Sequence, residues 1–193
     1  MLTEHFYPEL GTNFPALPYL SFDRALNAAA RTLCRIGLVW REELMAIDWQ
    51  EGEPRYLLFL PQGARIVQVL SFGSLTPTTR ERIEAADPRW AERRGVPHEY
   101  FLEGFDTVVV TPSPASDTPN AATPYVALAP TTVGRELSDS YAWEHEGLLL
   151  NGAVAYLGGA NWREFEHLCT MARSRAVDNN HVGVSRRVRY AGY

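Results

Sequence analysis

Apolar residues recur at helical spacing near both ends of the chain and at strand spacing between them. The stretch after Ser21 places Phe22, Leu26, Ala29, Leu33 and Ile36 on one face, with Ser21 as a hydrogen-bonding cap, and predicts an amphipathic helix. Gly37 stands where that helix can close, and Trp40 follows as a large apolar anchor. Toward the other end, Ser138 and Asp139 open a second helix that carries Tyr141, Leu148, Leu149, Ala153 and Tyr156 as far as Leu157. Gly158-Gly159 stops it. Asn161 then caps a third helix with Glu164 at capping-box spacing, and Phe165, Leu168, Cys169 and Ala172 share its apolar face. Its periodicity ends at Val177. Two helices joined by so short a turn make an antiparallel hairpin.

Between these helical ends the pattern shortens. Leu44 to Asp48, Arg55 to Leu60 and Ala64 to Phe72 read as strands, separated by turns at Gln50-Glu51-Gly52-Glu53-Pro54 and Pro61-Gln62-Gly63, and predict an antiparallel meander. Thr78 to Ala86 suits a short helix. Strands follow at His98 to Leu102 and Thr107 to Val110; residues 112–124, rich in Pro, Ser, Thr, Asp and Asn, read as an exposed loop before a last strand from Pro124 to Pro130.

The first twenty residues interrupt Phe6, Tyr7, Phe14 and Tyr19 with Pro8, Gly11, Pro15 and Pro18, which predicts an extended arm lying on the chain's own surface or on a neighbour. The expected organisation is α+β: a helical bundle from residues 21–42 and 131–178, an antiparallel β insert over 43–130, an extended arm over 1–20 and a C-terminal docking tail over 179–193. At 193 residues, 46% of them hydrophobic, the chain can bury a core without staples.

All 18 basic residues are arginine, through codon bias or through the demands of planar, bidentate contacts. The net charge of −5 is uneven, because the segment from Thr170 onward carries five arginines against Asp178, which leaves −9 on the rest. A body that acidic does not suit a nucleic-acid binder with a broad basic face. The tail is the exception. Ser185-Arg186-Arg187-Val188-Arg189-Tyr190-Ala191-Gly192-Tyr193 mixes the two residue types most enriched at interface hot spots, and reads either as a frayed solubilising end or as a segment that folds on a partner.

Catalytic patterns are missing. His5, His98, His145, His167 and His181 are scattered without metal-ligand spacing, and no GxSxG, GxxxxGK[ST] or GxGxxG occurs. Cys34 and Cys169 stand far apart in helical surroundings and read as buried free thiols. The expectation is a non-enzyme without cofactor or metal. No run is long enough for a membrane span, and the start carries no signal-peptide pattern, so the chain is expected to be made in the cytoplasm and to have no membrane partner.

The order of these features resembles the head-to-tail adaptor proteins of tailed bacteriophages, the tail tubular protein A type. The resemblance runs from Ala25–Thr32 and Val39-Trp40-Arg41, through the strand pair Tyr56 to Val69, to Pro88-Arg89-Trp90 and Gly95-Val96-Pro97-His98-Glu99-Tyr100. It continues with Thr111-Pro112-Ser113-Pro114, a helix holding Tyr141, Glu146, Gly152-Ala153 and Tyr156-Leu157, then Asn161-Trp162, Phe165 and Ala172-Arg173-Ser174-Arg175-Ala176. Order and spacing over about 150 residues carry it, in the way of a fold signature. Leu137-Ser138-Asp139 departs from the family's Leu-Pro-Asp-like step, and the Gly158-Gly159 turn is shorter than many. The resemblance implies a homo-oligomeric ring, commonly of about twelve subunits, that joins the portal protein to the tail tube or nozzle protein at the head–tail interface of the virion. It implies that Arg186, Arg187, Arg189, Tyr190 and Tyr193 dock on the portal, and that double-stranded DNA passes an acidic lumen without specific binding.

Overall fold

The computed structural model describes residues 1–131 and 137–183. The fold is mixed α+β, and the chain divides into two compact units: Met1–Trp40 with Thr132–Tyr193, and Arg41–Thr131. In chain order a 3-10 turn (Thr3–Phe6) leads to α1 (Tyr7–Asn13), α2 (Tyr19–Gly37), β1 (Arg41–Glu43), β2 (Ile47–Trp49), β3 (Arg55–Leu57) and β4 (Ala64–Phe72). Then come β5 (Thr76–Pro77), α3 (Arg80–Ala86), a 3-10 turn (Trp90–Glu92), β6 (Arg94–Gly95), β7 (Glu99–Glu103), β8 (Thr107–Thr111) and β9 (Ser113–Pro114). The chain continues through β10 (Thr118–Ala122), β11 (Pro124–Pro130), α4 (Asp139–Ala142), α5 (Glu146–Tyr156) and α6 (Trp162–Gly183).

In the first unit α2 packs against α5 and α6, and α5 against α6. The apolar stripe of α2 is buried as Phe22, Leu26, Ala29 and Leu33, with Ala25, Ala30 and Cys34 beside it. Small residues set the spacing. A methyl group on Gly152 of α5 would come within 2.5 Å of the Phe165 ring of α6 and 2.7 Å of Ala29 of α2, closer than packed atoms tolerate. Gly37 is small for a related reason, since a Cβ there would lie 3.2 Å from the Cys169 carbonyl oxygen. The left-handed turn that ends α2 falls instead on Leu38, at φ 50°, whose N–H donates to the Cys34 carbonyl at 3.1 Å.

The N-terminal segment corrects the expected extended arm: residues 3–13 are helical. Pro8 lies in the first turn of α1, where the missing N–H has no intrahelical acceptor to lose, so it is compatible with the helix. Phe6 and Leu10 are buried, and the hydroxyls of Thr3 and Tyr7 both donate to Asp23 Oδ1 of α2 at 2.6 Å. The position of a proline, more than its presence, decides whether a helix can form. Pro18 likewise precedes α2 in extended conformation, and α2 starts at Tyr19, two residues before the expected Ser21 cap. The helix expected from Ser138 to Leu157 breaks around Trp143 into α4 and α5, with Tyr141 and Ala142 buried while Trp143 and Glu144 are exposed.

The second unit is built from non-local pairs. The expected meander does not form, because β2 pairs with β10, β3 with β8 and β4 with β11, all antiparallel. Residues 118–122, expected in a loop, supply β10; Asp48 Oδ1 accepts the Asn120 N–H at 2.6 Å and holds the polar segment in the ladder. Two short ladders, β5 with β7 and β6 with β9, are parallel. The main sheets run β1-β11-β4 and β3-β8-β7-β5. The even-numbered face of the second sheet buries Tyr56, Tyr100, Val108 and Val110. Its aromatic residues join a chain of ring contacts, Tyr56–Trp49 at 4.9 Å, Trp49–Phe72 at 5.7 Å and Phe72–Tyr100 at 5.3 Å. On the odd-numbered face, Phe101 and Val109 are covered by Ile83 of α3 and by Trp90.

Candidate interaction surfaces

The five residues singled out for portal docking, Arg186, Arg187, Arg189, Tyr190 and Tyr193, lie outside the described residues. The expected start of the tail at 179 is corrected, because α6 continues to Gly183. An apolar stripe reports a buried face; the backbone can keep its helical bonds for a turn or two after the stripe ends, since adding a residue to a formed helix costs little.

Burial shifts four titratable groups of the helical unit toward their neutral forms. Burial pushes the Cys169 thiol up to about 12 and the Cys34 thiol higher still, so neither is a thiolate at neutral pH. Both cysteines are free and buried. Tyr141, hydrogen-bonded to Cys34, is also pushed up, first by burial. His145 is pulled below its ordinary value by burial, with the neighbouring Glu144 opposing the shift. Among the described residues no three His, Cys, Asp or Glu side chains gather in a metal-binding group, and no helix is long and apolar enough to cross a membrane.

The surfaces are more informative than the interior. In the helical unit Tyr7 and Tyr19 stack at 4.7 Å beside an open groove of about 340 Å³ lined by Phe14, Pro15, Leu17 and Phe22. Elsewhere on this unit the exposed Trp143 meets the His5 ring edge-on at 5.6 Å, and His5 Nε2 lies 2.7 Å from Glu146 Oε1. In the β unit a cleft of about 270 Å³ is walled by Trp49, Leu75, Val96, Pro97, Pro114 and Ala122.

A third surface of the β unit combines main-chain and side-chain exposure. The strand β3 is the edge of its sheet. Along it Leu57 is 56% exposed and Phe59, just beyond, 71%; Phe105, in the β7–β8 turn, is 70% exposed. The bond from Leu58 N–H to the Asp106 carbonyl, 2.7 Å, continues the β3–β8 register and brings Phe59 level with Phe105. The sequence marked 55–60 as a strand but missed this surface. In a run as apolar as Tyr56-Leu57-Leu58-Phe59-Leu60, alternation cannot tell the buried side from the open one.

The sequence matches neither models of known protein families nor any curated protein.

Proposed function

We propose that this chain is a structural, non-catalytic assembly subunit: an adaptor of the tailed-phage head-to-tail type, forming a homo-oligomeric ring between the portal and the tail tube or nozzle. In this reading α2, α5 and α6 form the helical bundle of each subunit, and the β unit faces neighbouring chains. The observation that carries it is the chain's organisation. A helical unit assembled from both ends of the chain is interrupted by one continuous β unit, and the arginine-rich segment follows directly on the last described helix.

Charge supports the same reading. The segment from Thr170 onward has an excess of arginine while the remainder is strongly acidic, so an acidic lumen would let DNA slide while the basic end finds a protein groove. Arg186, Arg187 and Arg189 would make charge-assisted contacts to portal carboxylates, and Tyr190 and Tyr193 would fill apolar grooves beside them. A different phage connector or tail-completion protein would use the same architecture. A nucleic-acid module using the basic end is the reading from another class.

Two measurements separate these. Imaging of the assembled particle should place the chain as a ring between head and tail; finding it absent from complete virions removes the adaptor reading. Removing residues 184–193, which leaves the described helices intact, should abolish binding to the cognate portal ring. Retained portal binding would show that the segment is not the docking element, and a steep salt-dependent affinity of the isolated monomer for DNA would favour the nucleic-acid reading.

A further inference from the structure

We infer that the open edge of β3, with Leu57, Phe59 and Phe105, is a docking site for an extended segment of another polypeptide, one with apolar side chains at alternate positions and an arginine or lysine beside them. The inference concerns the β unit by itself and goes beyond the ring reading, because it needs neither a ring nor the C-terminal segment.

The main chain comes first. Leu58 donates to the Asp106 carbonyl at 2.7 Å and Val110 donates to the Pro54 carbonyl at 2.8 Å, both in the β3–β8 register. In an antiparallel ladder these bonds fall on alternate residues, so positions 54, 56 and 58 face β8, and the N–H and C=O groups of Leu57 and Phe59 face away from the sheet. Arg55 points the same way, and its N–H already donates to Glu53 Oε1 at 2.9 Å. Pro54 and Pro61 bound the free edge to a length that suits a short strand.

Folded chains usually blunt such an edge with charge, proline or a covering element. The opposite edge of this sheet follows that rule, since β5 is two residues long and one of them is Pro77. On the odd-numbered face α3 covers Val109 and Phe101, and the Arg80–Glu103–Arg55 ion pairs border the covered half. Beyond that border Leu57, Phe59 and Phe105 stand open. Three such side chains, each about half to three-quarters exposed, present on the order of 400 Å² of apolar surface, the size at which an exposed patch on a monomer usually marks an interaction site.

Area and charge then choose the occupant. A stable pair of folded copies buries roughly 800 Å² on each partner, about twice what this patch offers. A strand needs less apolar area because main-chain hydrogen bonds supply part of the affinity, with alternate side chains supplying the selectivity. The edge is also locally acidic: Arg55 and Arg80 are engaged by Glu103, whereas the carboxylates of Glu53 and Asp106 have no cation partner among the described residues. A basic residue flanking the apolar positions of the incoming strand answers that imbalance.

The test uses the full chain and a capped peptide, Thr-Arg-Val-Thr-Val-Arg-Thr, followed by amide chemical shifts and hydrogen exchange. Binding should slow exchange at the Leu57 and Phe59 amides and shift signals from Arg55 to Phe59 and at Phe105. Phe59→Thr and Leu57→Thr, conservative for a strand and at exposed positions, should keep the fold by circular dichroism and each weaken the peptide about tenfold. A peptide N-methylated at both valines should not bind. The inference is overturned by any of three results: no perturbation with peptide up to about 1 mM, undiminished binding of the N-methylated peptide, or a dimer of the free protein that either threonine variant dissolves.

Discussion

The two units solve the packing problem with opposite materials. The helical unit is held together where residues are small: Ala29, Gly37 and Gly152 let α2, α5 and α6 approach until Phe165 fills the remaining gap. The β unit is held together where residues are large, through the ring contacts of Tyr56, Trp49, Phe72 and Tyr100. Tightly set helices are sensitive to added volume, and a chain of tilted and edge-on ring contacts is sensitive to lost volume. The surfaces differ too. In the helical unit the exposed aromatic residues Tyr19 and Trp143 are engaged by neighbouring rings of the same unit, whereas in the β unit Phe59 and Phe105 lie beside an unpaired strand edge. In the β unit the exposed aromatic side chains gather where the sheet was left unfinished.

This contrast can be broken by substitution. The largest effect is expected from Phe72→Ala, which empties the middle of the aromatic chain and should cost about 3–5 kcal/mol in chemical denaturation, with faster exchange at the Val108 and Val126 amides. Gly152→Ala comes next. One added methyl group against Phe165 and Ala29 should cost about 1–3 kcal/mol, and a neutral result would show that these helices are not in close contact.

A smaller effect tests how the Gln50–Glu53 turn is tied to the core. The Tyr56 hydroxyl donates to the Glu53 carbonyl at 2.6 Å and accepts the Gln50 N–H at 3.1 Å, so Tyr56→Phe should cost about 1 kcal/mol without changing the ring contact to Trp49. The smallest is a pH effect confined to the helical unit. Burial holds His145 below its ordinary value of 6.5, so the unfolded chain takes up the proton first. The stability this confers is present above pH 6.5 and is lost as the pH falls through the lowered folded value. His145→Gln should flatten the melting-temperature profile in that window, and an unchanged profile would show that the ring is not desolvated.

Legibility followed contact range. The stripe of α2, the break at Gly158-Gly159 and the face of α6 formed by Phe165, Cys169 and Ala172 could all be read directly, because a helix's bonds and its buried stripe both lie within a few residues. The strands from 55 and 64 were visible as segments, but their partners were not: Tyr56 finds Val108 and Ile66 finds Leu128 across more than fifty residues. The polar run at 118–122 looked like a loop because a side chain of β2, Asp48, supplies what its own residues lack. The N-terminal helix was hidden by Pro8, whose position in the first turn makes it harmless.

By itself the sequence determined the mixed α+β class, the sites of α2 and α6 and the uneven distribution of arginine, all of which follow from composition and from short-range periodicity. Tertiary structure alone decided which strands pair, which glycines must remain glycine and which side of β3 is left open. A strand's partner and a helix's closest approach are set by residues distant in the chain, so no local pattern can carry them.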